Sequence, residues 1–138
     1  MILRLPLTII IPRKTRDNKV FALNLNIYRN AHHMTLSQAK IIYKGEVMKA
    51  MCTDSGKFIP LNLGHGPFRF VYTIFPATNR GFDLGNVCSI IQKFTDDALI
   101  ELGAIPDDNF KVVRSVWYLF GGVDKGNPRA ELSIQKYE

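Results

Sequence analysis

Residues 2–11 (ILRLPLTIII) form a nearly continuous apolar run. After the charged segment 13–19 (RKTRDNK), residues 20–27 (VFALNLNI) alternate, with Phe21, Leu23, Leu25 and Ile27 apolar. Such runs predict two β-strands, and the polar turn between them predicts a hairpin. Thr35-Leu36-Ser37-Gln38 is a capping-box pattern that opens a helix. Leu36, Ala39, Ile42, Tyr43, Val47, Ala50 and Met51 follow at helical spacing, so the helix is expected to end between Cys52 and Gly56. Residues 57–66, with their Gly-Pro punctuation, read as a loop. Phe68, Phe70, Tyr72 and Ile74 share one face of a strand over 68–75. Residues 86–102 give the strongest helical pattern: Val87, Ile90, Ile91, Phe94, Ala98 and Leu102 make one apolar face, with Gly103 placed to end it. Residues 110–120 and 129–135 read as strands joined by a Gly-rich basic loop. This order predicts an α+β fold, a mixed β-sheet with two main helices packed on one side, in a single domain over 1–138.

The 138 residues, 46% of them hydrophobic, are enough for one buried core. No apolar run reaches the roughly 18–20 residues of a membrane span. Pro6 and Pro12 interrupt the N-terminal run, and no small-residue cleavage site follows, which argues for a strand over a signal peptide. Cys52 and Cys88 are far apart and form no C-x-x-C pair, which suits a reducing cytoplasm.

Charge changes the picture. The net is +6, but residues 1–53 hold nine Lys/Arg against Asp17 and Glu46, whereas residues 83–108 hold six acids against Lys93 alone. A basic body attracts a polyanion by counterion release, and an acidic island within it repels that polyanion. A divalent cation on the island removes the conflict. On charge alone, the reading of both regions as solvated faces of an ordinary protein comes first.

Within the second helix, Asn86, Ser89, Lys93 and Asp97 recur at i+3 or i+4 and predict a polar stripe beside the apolar face. Asp83 precedes the first turn, and Asp107-Asp108 follow the helix through Gly103 and Pro106. A chain turning back after the helix would bring Asp108 near Asp97 or Asp83. Carboxylates gathered this way bind Mg²⁺ or Mn²⁺. The same residues also admit an architectural reading: Asp83 as an N-cap, Asp97 paired with Lys93, and Asp107-Asp108 as a polar turn.

Several motifs keep a definite order: Asp83-Leu-Gly-Asn86, Lys93-Phe-Thr-Asp-Asp97-Ala-Leu99, Gly103-Ala-Ile-Pro-Asp107-Asp108, Gly121-Gly122, Lys125-Gly126 and Arg129-Ala-Glu131-Leu132. This series resembles the RusA-type Holliday junction resolvases, endonucleases of phages and prophages. The opening, with Leu5-Pro6 and Leu23-Asn24-Leu25-Asn26, resembles phage members too. The resemblance implies a homodimer in the bacterial cytoplasm that binds branched, four-way DNA and nicks symmetric strands with Mg²⁺ or Mn²⁺, without a small-molecule cofactor. It maps the essential acids and lysine onto Asp83, Lys93 and Asp108. Asn86 and Asp97 are further catalytic candidates, and Asp107 a further metal ligand. Two departures stand out. Gly85 replaces the second acid of D-x-D-N, and the helix is about four residues longer before its lysine, an insertion of roughly one turn that preserves facing.

Candidate DNA contacts are Arg13, Lys14, Arg16 and Lys19 at the hairpin tip, with Arg80, Lys93, Lys125 and Arg129. Trp117, Tyr118 and Phe120 are expected in core or dimer packing more than in base stacking, and Lys40, Lys44 and Lys49 are equally surface decoration or phosphate contacts. His32-His33 lack further ligands at zinc spacing. No Gly-rich nucleotide loop and no nucleophile triad is legible. The competing expectation, which Gly85 favours, is a module that holds branched DNA without cutting it.

Overall fold

The computed structural model describes residues 1–52 and 62–138. The elements are β1 (Ile2–Leu5), β2 (Thr8–Ile11), β3 (Lys19–Ala22), α1 (Leu25–Asn30), α2 (His33–Ala50), β4 (Phe68–Phe75), α3 (Leu84–Glu101), β5 (Val113–Phe120) and β6 (Arg129–Lys136). They form a mixed α+β fold with a four-stranded sheet in the order β1-β6-β4-β5 and a separate β2-β3 ribbon. β1 and β4 both pair antiparallel with β6, and β4 pairs parallel with β5. A parallel neighbour needs a long crossover, and α3 supplies it.

The first apolar run is two strands. Pro6 has no amide hydrogen for a ladder, and the chain changes partner there. β1 joins β6, while β2 makes the expected hairpin with β3, Ile9 lying opposite Phe21. The strand expected over 20–27 is corrected. It stops at Ala22, Asn24 accepts the Ile27 amide at 2.9 Å, and this cap starts α1. The Asn side chain competed with the ladder for the backbone and won. The capping box is corrected as well. His32 Nδ1 accepts the Met34 amide at 3.2 Å, so α2 begins before Thr35. α2 ends at Ala50 with Met51 as its C-cap, just before the expected Cys52–Gly56, and residues 57–61 of the expected loop lie outside the described residues. β5 starts at Val113, not 110, because the Val112 and Val113 amides both turn back to the Asn109 carbonyl.

Both long helices lie on the sheet face that carries Phe70, Tyr72, Ile74 and Leu132, all at most 1% exposed. Phe94 of α3 centres this core. It stacks on Phe21 at 6.3 Å and meets Tyr43 of α2 edge-on at 5.7 Å, so ribbon and both helices close on one ring. Gly103 ends α3 as expected, with φ +78°, and the Ala104 amide returns to the Leu99 carbonyl at 2.8 Å. Among the described residues no helix is long and apolar enough to cross a membrane.

Candidate functional site

Asp83 is the N-cap of α3, and its carboxylate accepts the Gly85 amide at 2.9 Å. A cap needs that acceptor, so the architectural reading of Asp83 holds whatever else it does. Gly85 lies on ordinary helical backbone, and a Cβ there would meet Asp83 Oδ1 at 3.4 Å. The missing acid is therefore a matter of sequence and not of space. Arg80 is exposed beside this end and lines a cleft of about 250 Å³ with Phe82, Leu84 and Phe120.

The expected polar stripe is divided among three tasks. Asn86 Oδ1 accepts the Leu25 amide at 3.1 Å and so ties α3 to the start of α1. Ser89 Oγ is buried with no hydrogen-bond partner among the described residues. Asp97 faces Lys40 of α2 at 4.0 Å and not Lys93, which is exposed and in no ion pair among the described residues. Lys44 pairs with Glu101 and Lys49 with Glu46, so the α2 lysines serve the helix surface.

Asp107 and Asp108 form an exposed turn after α3. The Asp107 carboxylate accepts the Asp108 amide at 2.7 Å and the Asn109 side chain at 2.8 Å. These bonds, the Asp108 amide first, hold its pKa below the usual carboxylate value. Asp108 is shifted the other way by partial desolvation, its hydrogen bond with Asp107 and the charges of Asp107 and Asp97. Asp108 therefore lies within electrostatic reach of Asp97, as expected, but not beside Asp83. Asp83 and Asp97 stand at opposite ends of α3, which at 1.5 Å per residue puts them about 20 Å apart.

Asp96 escaped sequence reasoning. It is 3% exposed on the sheet side of α3. Burial first, then the charge of Asp108 and, more weakly, that of Asp97, push its pKa to about 7, against the hydrogen bond from Gln92. Gln92 reaches it at 3.5 Å and accepts a hydrogen bond from the Tyr118 hydroxyl. Asp96 Oδ1 and the Tyr72 hydroxyl, like Ser89 Oγ, are buried with no hydrogen-bond partner among the described residues. The signal was present: Ser89, Gln92 and Asp96 recur at i+3 and i+4 as a second polar line, hidden by the adjacent Asp97.

The acid set suits a hard cation, since it offers only carboxylate oxygens that repel one another. Among the described residues, however, no three His, Cys, Asp or Glu side chains converge as ligands within one chain. His32 and His33 stack on each other at 4.2 Å, with His32 serving as a cap.

The basic candidates divide too. Lys14 and Arg16 are exposed in the loop between β2 and β3, with Arg13 bonded to the Asp17 carbonyl and Lys19 half-buried at the base. Lys125 is exposed. Arg129 is committed inward, to Asp124 at 2.8 Å, Glu131 at 2.9 Å and the Phe75 ring at 4.1 Å. Trp117 and Phe120 are 50% and 54% exposed and so lie outside the core of the single chain, whereas Tyr118 is half-buried against it. Cys88 is buried and Cys52 half-buried, both as free thiols.

Fold and site thus define a mixed α+β protein with an acidic turn and a buried carboxyl at one end of its central helix. The chain matches no protein-family model and no curated protein.

Proposed function

We propose that this protein is a structure-selective endodeoxyribonuclease of the RusA type, a homodimer that resolves four-way DNA junctions by paired nicks in recombination and repair. Phage or prophage origin and action in the host cytoplasm belong to the same reading. The observation that carries it is the ordered motif series from Asp83 to Leu132, set in a chain whose positive charge lies outside the acidic segment. The exposed Asp107-Asp108 turn, in electrostatic contact with Asp97 and Asp96, supports it.

A bound Mg²⁺ or Mn²⁺ would offset charge on the scissile phosphate and acidify a water. Asp107 and Asp108 of one copy, with Asp83 of the other, are the residues that would hold it. Lys93, exposed and unpaired among the described residues, faces the phosphate. Lys14, Arg16, Arg80 and Lys125 supply the positive field that draws DNA in.

The test is nicking of a synthetic four-way junction, compared with linear duplex, as Mg²⁺ or Mn²⁺ is varied. Asp108→Asn is expected to abolish cutting and keep junction binding. Full cutting by that variant, or in chelator, would reject the assignment. Gly85 favours a second reading, a junction-binding module without cleavage, and tight binding with no product at any metal concentration would decide for it.

A further inference from the structure

The sheet face turned away from α2 and α3 carries a cluster that the proposed cutting does not use. The Arg69 guanidinium lies 4.8 Å from the Trp117 ring centre and 5.4 Å from that of Tyr137, and Arg114 lies 5.5 Å from Tyr137. Arg69 also donates to Ser115 Oγ at 3.3 Å, which fixes it over the strand pair. Trp117 is 50% and Tyr137 36% exposed. Neither Arg69 nor Arg114 is ion-paired among the described residues, whereas Arg129 on the neighbouring strand is paired with Asp124 and Glu131. The result is two arginines beside two partly exposed rings, with Arg114 and Trp117 on β5, the strand that the Asp107-Asp108 turn leads into, Arg69 on β4 and Tyr137 just past β6.

A guanidinium stacked on a ring keeps N–H donors for phosphate oxygens, and a half-exposed ring offers area on which a planar group can stack. Bases offer planar faces and phosphates offer acceptors at neighbouring positions along one strand. An apolar or acidic protein partner would satisfy only one half of this pattern. We propose that this face binds single-stranded nucleic acid, stacking bases on Trp117 and Tyr137 while Arg69 and Arg114 meet the phosphates. The proposal rests on the nucleic-acid reading above and deepens it by naming a surface for strand segments that are unpaired when a branched substrate opens.

Trp117 is the only tryptophan in the chain, so its emission reports this face directly. The intact protein is titrated with short oligo(dT) in chelator, where no cutting occurs. The expected result is saturable quenching that weakens with salt. Inorganic polyphosphate should compete without quenching, since it has charge but no bases. Tyr137→Ser should weaken oligo(dT) binding roughly 5- to 150-fold, the range for one stacked base. Arg69→Gln should lower the salt slope by about one. Oligo(dT) binding with unchanged emission, unchanged affinity in Tyr137→Ser, or no binding at all would each overturn the proposal. So would emission that changes with protein concentration alone, which would make this face a contact between two copies. Junction cutting with a silent Trp117 rejects the platform and keeps the nuclease, and quenching without cutting does the reverse.

Discussion

Asp83 already has a structural task, capping α3 through the Gly85 amide, so its loss by alanine would mix two effects. Asparagine separates them, because it caps as well as aspartate but is a poorer cation ligand. Asp83→Asn is expected to leave the urea midpoint nearly unchanged, within about 0.5 kcal/mol, and to remove junction cutting. Normal cutting by a normally stable variant would reduce Asp83 to a cap. Asp96 makes a prediction in pH. Its carboxyl titrates near 4 in an unfolded chain and at about 7 in the fold, where Asp97 and Asp108 repel it and Tyr72 and Tyr118 face it from the sheet. Between those values the folded chain binds the proton more tightly. Its contribution therefore favours folding at low pH and is lost as pH rises through about 7. Asp96→Asn is expected to be more stable than the parent above that pH, by on the order of 1–4 kcal/mol. The gain should vanish near pH 4 in chelator. Thermal melts across pH check it, and a constant difference would show that Asp96 stays charged or neutral throughout.

Among the elements, α1 is too short to persist alone and depends on its neighbours. Asn24 caps it locally, and Asn86, 61 residues on, accepts the Leu25 amide. Asn86→Ala should cost about 1 kcal/mol and should speed hydrogen exchange in α1 before the rest of the chain. Unchanged exchange in α1 would return Asn86 to the site candidates. The period-two and period-3.6 patterns located β4, α3 and β6 to within about two residues, because each buries a full face. They failed at Leu23, Leu25 and Ile27, where alternation continued but a side-chain cap diverted the backbone. They also failed at Pro6, where one apolar run served two different partners. Asp96 was missed for a related reason: an acid on a helix reads as solvated until the sheet beneath it is known.

For the whole molecule, the separation of Asp83 from the Asp107-Asp108 turn along α3 has a consequence for a homodimer. A metal site that uses both acids must draw them from two copies. Mixing Asp83→Asn protein with Asp108→Asn protein is then expected to restore nicking, since each mixed dimer keeps one intact pair. The restored activity should be single-strand nicking without paired resolution. No restoration, with exchange of copies verified by sedimentation, would confine the site to one chain or dismiss one of the acids.

The sequence by itself determined the α+β class, the helix and strand faces, the basic and acidic halves, and the order of the motifs, because burial periodicity and charge are written residue by residue. It offered Asp83 as a cap or a metal ligand and Asp108 as a neighbour of Asp97 or of Asp83, and left the choice open. Tertiary structure alone decided that Asn86 serves α1, that Asp97 faces Lys40, that Arg129 turns inward, that Trp117 stands in solvent beside Arg69, and that Asp96 is buried against the sheet. Each of those outcomes depends on which distant element packs opposite, and no local pattern encodes that.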